Sequence, residues 1–169
     1  MYKSKIYWKE IGVTAEIAIF APKNKVEEFH VMLHVAPQYE LFLGQLERIY
    51  EGERLLHELP IFKQAKPIFK RYFLSDSTNQ QPLMRQETEC SVSIIQQPPL
   101  DGSKIAVWLY LQKGSDIANI NGMVVSEHNG YKHLWKMGMH EHKGDSAWQT
   151  ESLLINYEET LQSFGATLA

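Results

Sequence analysis

The stretch from residue 90 to residue 111 constrains the fold most strongly. Residues 90–95 alternate apolar and polar side chains, and residues 104–111 are almost entirely apolar, so both are predicted as strands. Residues 96–103 contain two adjacent prolines, which cannot donate to a sheet ladder, and an Asp-Gly pair that favours a turn. The pattern predicts two strands folded back on each other. The second is apolar enough to lie centrally in a sheet that helices cover.

Composition and charge narrow the class of protein. With 169 residues, 44% hydrophobic and 22% charged, the chain has room for one ordinary domain, or for a small domain and part of another. A net charge of -3 supplies no basic field, so we expect no nucleic-acid partner. A single cysteine, no signal-peptide pattern and no apolar run of about 20 residues predict a cytoplasmic protein without a membrane partner.

The first half of the chain is predicted to hold a hairpin, two helical segments and a strand. Residues 3–9 and 14–20 are rich in strand formers, with a Gly-Val turn between them. Residues 25–35 carry apolar side chains at helix-like spacing. Residues 38–59 show the clearest helical period, with charges on the opposite side. Residues 68–74 are predicted as a strand that ends in a turn.

The tail, residues 118–169, is predicted to begin with the same order of elements as the first part of the chain. Residues 123–126 and 131–137 flank an Asn-Gly pair, which is typical of a tight hairpin turn. A helix is predicted from about residue 147 to residue 164, with Ser146 and Gln149 placed for a capping box. The tail therefore repeats strand, strand and helix.

Several of these features together resemble the Rid (YjgF-like) family, often labelled endoribonuclease L-PSP. They are residues 73–76, Phe-Leu-Ser-Asp, closing a strand, the strand with Val92 and Ile94, the Pro-Pro loop and the apolar last strand. The tail is similar to the opening of the same domain, with Met137-Gly at the exit of its hairpin and a helix ending near residue 164. Two such domains in one polypeptide resemble the chorismatase group.

The resemblance implies an α+β fold of the chorismate-mutase-like (Rid) type, with a sheet of mixed strands and helices on one face. It implies a complete Rid-like domain over residues 1–117 and the strand-strand-helix start of a second, truncated Rid-like unit over residues 118–169. Rid domains usually form homotrimers with ligand clefts between neighbouring sheets, so we expect a homo-oligomer. Active members hydrolyse reactive enamines and imines.

The two site positions that the resemblance implies do not carry the family's residues. Rid enzymes use an arginine at the start of the penultimate strand to hold the substrate carboxylate, and a glutamate in the last strand to position water. Counting from Pro98 places these positions at Glu89 and Ala106. Only a shift of a few residues, onto Arg85, would keep a cation near the first position.

We therefore expect a Rid-like domain that binds a small carboxylated metabolite at a subunit or domain cleft. It would be part of a larger enzyme acting on enamine, imine or chorismate-like substrates. An active chain would be a hydrolase of the imine deaminase or chorismatase type, and no cofactor is expected. The alternative is a non-catalytic structural or oligomerisation domain, because the family's Arg and Glu are missing.

A few other residues could line a ligand site. Tyr131, His133 and Trp135 alternate along one predicted strand, where aromatic side chains either line a cleft or fill a core. Cys90 could be a nucleophile, although neighbouring carboxylates disfavour the thiolate.

Arginines and histidines offer two further kinds of site. Arg71 and Arg85 could each bind an anion bidentately, although Arg71 is more simply explained as flanking a sheet in solvent. His140 and His142, two apart on a strand, would project to the same side, as zinc ligands can. No cysteine accompanies them, and no metal site is predicted.

Overall fold

The computed structural model describes residues 1–84 and 89–168. The strands are β1 (Tyr2–Trp8), β2 (Val13–Phe20), β3 (Glu27–Val35), β4 (Lys66–Leu74), β5 (Ser91–Gln96), β6 (Ile105–Lys113), β7 (Asp116–Ile120), β8 (Met123–His128) and β9 (Tyr131–Trp135). The helices are α1 (Phe42–Glu58), α2 (Gln81–Met84) and α3 (Ser146–Gln162). The protein is therefore of mixed α+β class.

The chain divides into two compact units, Met1–Met137 and Gly138–Ala169. Sequence reasoning placed the start of a second domain at residue 118, whereas the strands β7, β8 and β9 all lie within the first unit. The kinship of the tail with the opening of another Rid-like domain stays a prediction.

Six strands of the first unit form one large sheet in the order β1-β2-β3-β6-β4-β5. All neighbours pair antiparallel except β4 and β5, which pair parallel. The predicted hairpin of the first twenty residues is confirmed as β1 and β2. The apolar strand β6 lies between β3 and β4, so its predicted central position is confirmed as well.

The predicted pairing of β5 with β6 is wrong. β4 lies between them, so the loop of residues 97–104 crosses the end of β4 instead of closing a hairpin. The backbone N–H of Ser75, directly after β4, donates to the carbonyl oxygen of Lys104 at 3.0 Å. The prolines and the Asp-Gly pair correctly predicted that the chain reverses direction. Turn chemistry does not determine which strand the returning chain pairs with.

The helix-like segment at residues 25–35 is a strand, not a helix. Four of its apolar side chains alternate along β3 and are fully buried, namely Phe29, Val31, Leu33 and Val35. Met32 lies on the opposite face, and its presence created the apparent helical spacing. The two-residue period of a strand therefore describes this segment.

Helix α1 covers one face of the large sheet, as its period predicts. Phe42, Leu46, Ile49 and Leu56 are its buried apolar residues, and they join a core with side chains of β2, β3 and β6. Helix α2 contributes Leu83 to the same core. The helices described in the first unit thus pack on one face of the sheet.

Part of the opposite face is covered by a second, three-stranded sheet of β7, β8 and β9. The hairpin of β8 and β9 was predicted, but β7 was not. Ile68, Phe69, Tyr110 and Val124 form the buried core between the two sheets, with Trp135 packed against it.

Hydrogen bonds also join the two sheets of the first unit. The Ser126 hydroxyl donates to Gln112 Oε1, and Gln112 Nε2 donates to the Tyr110 hydroxyl at 2.7 Å. The Tyr110 hydroxyl donates in turn to Glu28 Oε2 at 2.8 Å. Burial raises the pKa of Tyr110, so this hydroxyl keeps its proton and the chain of donors is fixed.

The second unit contains α3, close to the predicted bounds. Its N-terminus is capped by Asp145, whose Oδ1 accepts from the backbone N–H of Trp148 at 2.9 Å. The predicted capping box is therefore wrong, because the capping side chain is one residue earlier than Ser146. In the described part of the chain, none of the helices combines the length and apolar character that a membrane crossing requires.

Candidate functional site

The face of the large sheet that α1 leaves uncovered, here called the open face, carries the most promising site. The strand register aligns five of its side chains in one row across the sheet: Arg71, Trp108, Met32, Glu16 and Lys5. The three-stranded sheet covers the neighbouring part of this face, around Tyr110. The row therefore lies at the border between the part of this face that the three-stranded sheet covers and the part that it leaves uncovered.

Arg71 is the unusual member of this row. It lies on an inner strand and is half-buried, so the interpretation that it flanks a sheet in solvent does not hold. Its guanidinium carbon lies 5.7 Å from the centroid of the Trp108 ring. Its Nε is buried and has no hydrogen-bond partner among the residues described.

An unsatisfied guanidinium nitrogen in this position is costly. A buried donor without an acceptor costs about 1–3 kcal/mol, and the Trp108 ring offsets only part of that. A carboxylate matches the planar fork of an arginine, because it can accept two parallel hydrogen bonds. A carboxylate could satisfy this group, and its binding requires the Arg71 side chain to expose the Nε that is now buried.

A cavity of about 300 Å³ lies beside the Arg71 row, toward the loop that follows β5. The sheet supplies Met32, His34, Phe73 and Ala106 to its lining, and the loop supplies residues 97–101. His34 and Phe73 are the cross-strand neighbours of Ala106 on either side. The cavity is mostly apolar and contains one imidazole from the sheet.

The loop wall of this cavity is held by internal hydrogen bonds. Asp101 Oδ1 accepts from the backbone N–H of Ser103 at 2.9 Å and from its hydroxyl at 2.7 Å. The backbone N–H of Lys104 donates to Gln45 Oε1 on α1 at 2.6 Å. The C-terminal end of the loop is therefore attached to α1 by a hydrogen bond.

A second, wider groove of about 610 Å³ continues across the open face toward β1. Met32 lines both this groove and the smaller cavity. The ring of His30 lines the groove and stacks on Tyr110, with centroids 4.7 Å apart. Burial lowers the pKa of His30, which favours its neutral form, while Lys5 pairs with Glu16 at 3.0 Å.

The structure describes two of the three candidate residues at and before Cys90. Arg85 lies outside the described residues. Glu89 is exposed, and Cys90 is buried directly before β5, which suits an inert thiol better than a nucleophile. The neighbouring Ser91 hydroxyl donates to the carbonyl oxygen of Trp135 at 2.9 Å, so β5 and β9 are close to each other.

The three aromatic candidates of β9 differ in their surroundings. Tyr131 is exposed. The ring of His133 stacks on His128, with centroids 4.3 Å apart and an angle of 7° between the planes. Trp135 packs against Tyr110, with centroids 5.3 Å apart. Trp135 therefore belongs to the core between the sheets.

The sequence analysis named Arg71 as an anion-binding candidate but did not identify the residues that surround it in the site. Trp108, Met32, His34 and Phe73 occupy alternate strand positions that were visible in the sequence. Their meeting with Arg71 depends on the strand order, which local patterns do not determine.

No metal site is evident in residues 1–84 and 89–168. In these ranges, no three His, Cys, Asp or Glu side chains come together to hold an ion. The rings of His140 and His142 lie 4.8 Å apart, and His140 Nδ1 is 2.9 Å from the carbonyl oxygen of Gly138.

The stacked pair of His128 and His133 predicts that acid weakens the fold. Burial, followed by the charge of His133, lowers the pKa of His128, and the charge of Glu28 opposes this only in part. Because the folded pKa lies below the unfolded value of about 6.5, this stability is present above that pH and is lost as the pH falls.

We expect the urea concentration at the unfolding midpoint to fall as the pH is lowered from about 7.5 to about 5.5. His128→Gln should reduce this pH dependence in part. His140→Gln, at an exposed position of the second unit, should keep the wild-type pH dependence. An equal pH dependence for His128→Gln and the wild type would show that His128 does not titrate as described.

Comparison of the chain with protein-family models, curated proteins and solved structures gives no match.

Proposed function

We propose that this chain is a Rid-like domain that binds a small carboxylated metabolite on the open face, with Arg71 holding the carboxylate. The observation that carries the proposal is the half-buried Arg71 guanidinium over Trp108, whose buried Nε has no acceptor in the described residues. The mixed six-stranded sheet with α1 on one face is compatible with the chorismate-mutase-like fold that the resemblance implies.

The ligand would lie in a cleft completed by a second sheet. The first unit leaves the groove over β1, β2 and β3 open, and a neighbouring subunit of a homotrimer could close it. In this proposal the domain is part of a larger enzyme that acts on enamine, imine or chorismate-like substrates. Ala106 offers only a methyl group where the resemblance implies a glutamate, so binding is the activity expected of this unit.

Calorimetric titration with pentanoate and with its neutral amide tests the proposal. The wild type should bind pentanoate more tightly than pentanamide, because only the carboxylate pairs with Arg71. Arg71→Met should weaken pentanoate binding at least about tenfold, since a hydrogen bond to a charged group contributes about 1.5–3 kcal/mol.

Arg54→Met is the matched control for charge. Arg54 lies on α1 and pairs with Glu51 and Glu58, all on the exposed side of the helix. This variant should bind pentanoate as the wild type does. Equal affinities of the wild type and Arg71→Met for pentanoate would overturn the proposal.

The alternative function is that of a non-catalytic oligomerisation domain. It is favoured by Glu89 and Ala106, which replace the arginine and glutamate that the resemblance implies. Sedimentation velocity together with an imine-hydrolysis assay separates the two functions. A trimer that neither binds pentanoate nor hydrolyses an imine would support the alternative.

A further inference from the structure

His34 lies on the open face at the edge of the smaller cavity, opposite a short side chain. It is the direct cross-strand partner of Ala106, and both residues line the cavity of about 300 Å³. His34 is itself only partly buried, so its ring nitrogens can reach a molecule in the cavity.

The strand register fixes the relation of His34 to Arg71. Strand β6 lies between their strands, and His34 is one row further along, beside Ala106 rather than Trp108. Strand spacing and rise place the two Cα atoms about 12 Å apart. A ligand that contacts both side chains would have to span the part of the open face between Trp108 and Ala106.

The polar side chains of this cavity are Gln97 and Asp101 from the loop and His34 from the sheet. Met32, Phe73 and Ala106 are the apolar sheet residues of the cavity, and Asp101 Oδ1 is already engaged by Ser103. Glu16, the carboxylate on the neighbouring strand, is paired with Lys5. A polar group on the ligand would therefore find the imidazole as a partner from the sheet.

We propose that His34 is a positioning residue, which hydrogen-bonds a carbonyl or imine group of a ligand whose carboxylate Arg71 holds. The ligand class is then a short, apolar chain with a carboxylate at one end and a hydrogen-bonding C=O or C=N group further along. This inference rests on the proposed function, because Arg71 must hold the carboxylate for His34 to meet the other group.

Two matched pairs of acids test the role of His34. Pyruvate differs from propionate, and levulinate from pentanoate, by a ketone oxygen in place of two hydrogens. The wild type should bind at least one keto acid about fivefold more tightly than its partner, as expected for one net hydrogen bond. The pair that shows the preference reports the spacing between Arg71 and His34.

Variants distinguish a hydrogen bond from His34 to the ligand from a purely structural role of His34. His34→Ala should abolish the preference, so that each keto acid binds no more tightly than its plain partner. His34→Gln, whose amide can also donate, should keep part of the preference. Arg71→Met should weaken all four acids, and His140→Ala, at an exposed position of the second unit, should change none of the affinities.

The outcomes distinguish this inference from the proposed function. If the plain acids bind through Arg71 but the wild type shows no preference, or if His34→Ala keeps it, the role of His34 is overturned and the proposed function stands. If none of the four acids binds, the proposed function itself fails.

Discussion

Replacing Arg48 by methionine should lower the free energy of unfolding by about 3 kcal/mol. Arg48 lies on α1, and its Nε donates to the carbonyl oxygen of Ile11 at 2.6 Å. Its Nη2 donates to Gly12 at 2.7 Å and to Ala36 at 3.1 Å, and its Nη1 pairs with Glu40. Methionine keeps the length of the side chain but leaves three carbonyls and a largely buried carboxylate without this donor.

Chemical denaturation of Arg48→Met beside two other variants measures the effect. Arg48→Lys keeps the charge but loses the planar fork, so it should recover only a minor part of the loss. Arg54→Met, which removes exposed ion pairs on the same helix, should change stability by less than about 1 kcal/mol. A loss for Arg48→Met no larger than that for Arg54→Met would contradict this account of the helix attachment.

Replacing Gly52 by alanine should cost about 2 kcal/mol, although alanine is the better helix former by about 1 kcal/mol. A Cβ atom at this position would lie 2.8 Å from Cγ1 of Val13. Val13 is fully buried in β2 and its β-branched side chain is stiff, so it cannot give way easily. Gly52 therefore sets how closely α1 approaches the sheet.

Gly44 on the same helix provides the matched control. A Cβ atom there would lie 2.9 Å from Oε2 of Glu40, so this carboxylate, which also pairs with Arg48, would have to shift slightly. Gly44→Ala should therefore cost less than Gly52→Ala, because the gain in helix propensity offsets the shift of a side-chain end. Combined with Val13→Ala, Gly52→Ala should lose less than the sum of the two single losses. Strict additivity of Gly52→Ala and Val13→Ala would show that their contact is not the cause.

Local sequence patterns predicted the strands and helices of this fold better than they predicted which strands pair with each other. The period of α1, the hairpin of β1 and β2, and the central position of β6 follow from side chains close in sequence. The place of β4 between β5 and β6 depends on contacts across the whole sheet, which a turn does not encode. Strand β3 was misjudged because Met32, on its open side, is as apolar as the residues of the core.

The candidate site shows the same division between local and long-range information. Arg71 could be named from the sequence as an anion-binding residue, because its chemistry is intrinsic to the side chain. Its half-burial and its contact with Trp108 arise from the pairing of β4 with β6. The role of His34 likewise depends on its facing Ala106 across two strands that are far apart in sequence.

The claim that Arg71 binds a carboxylate is tested most directly by the NMR signals of the arginine Nε–H groups during a titration of the full chain with pentanoate. The Arg71 signal should move, because its Nε gains an acceptor. The signals of Arg48 and Arg54 should stay, since their Nε atoms already donate to Ile11 and Glu51. An Arg71 signal that does not move, or one that moves no more than the other two, would contradict the claim.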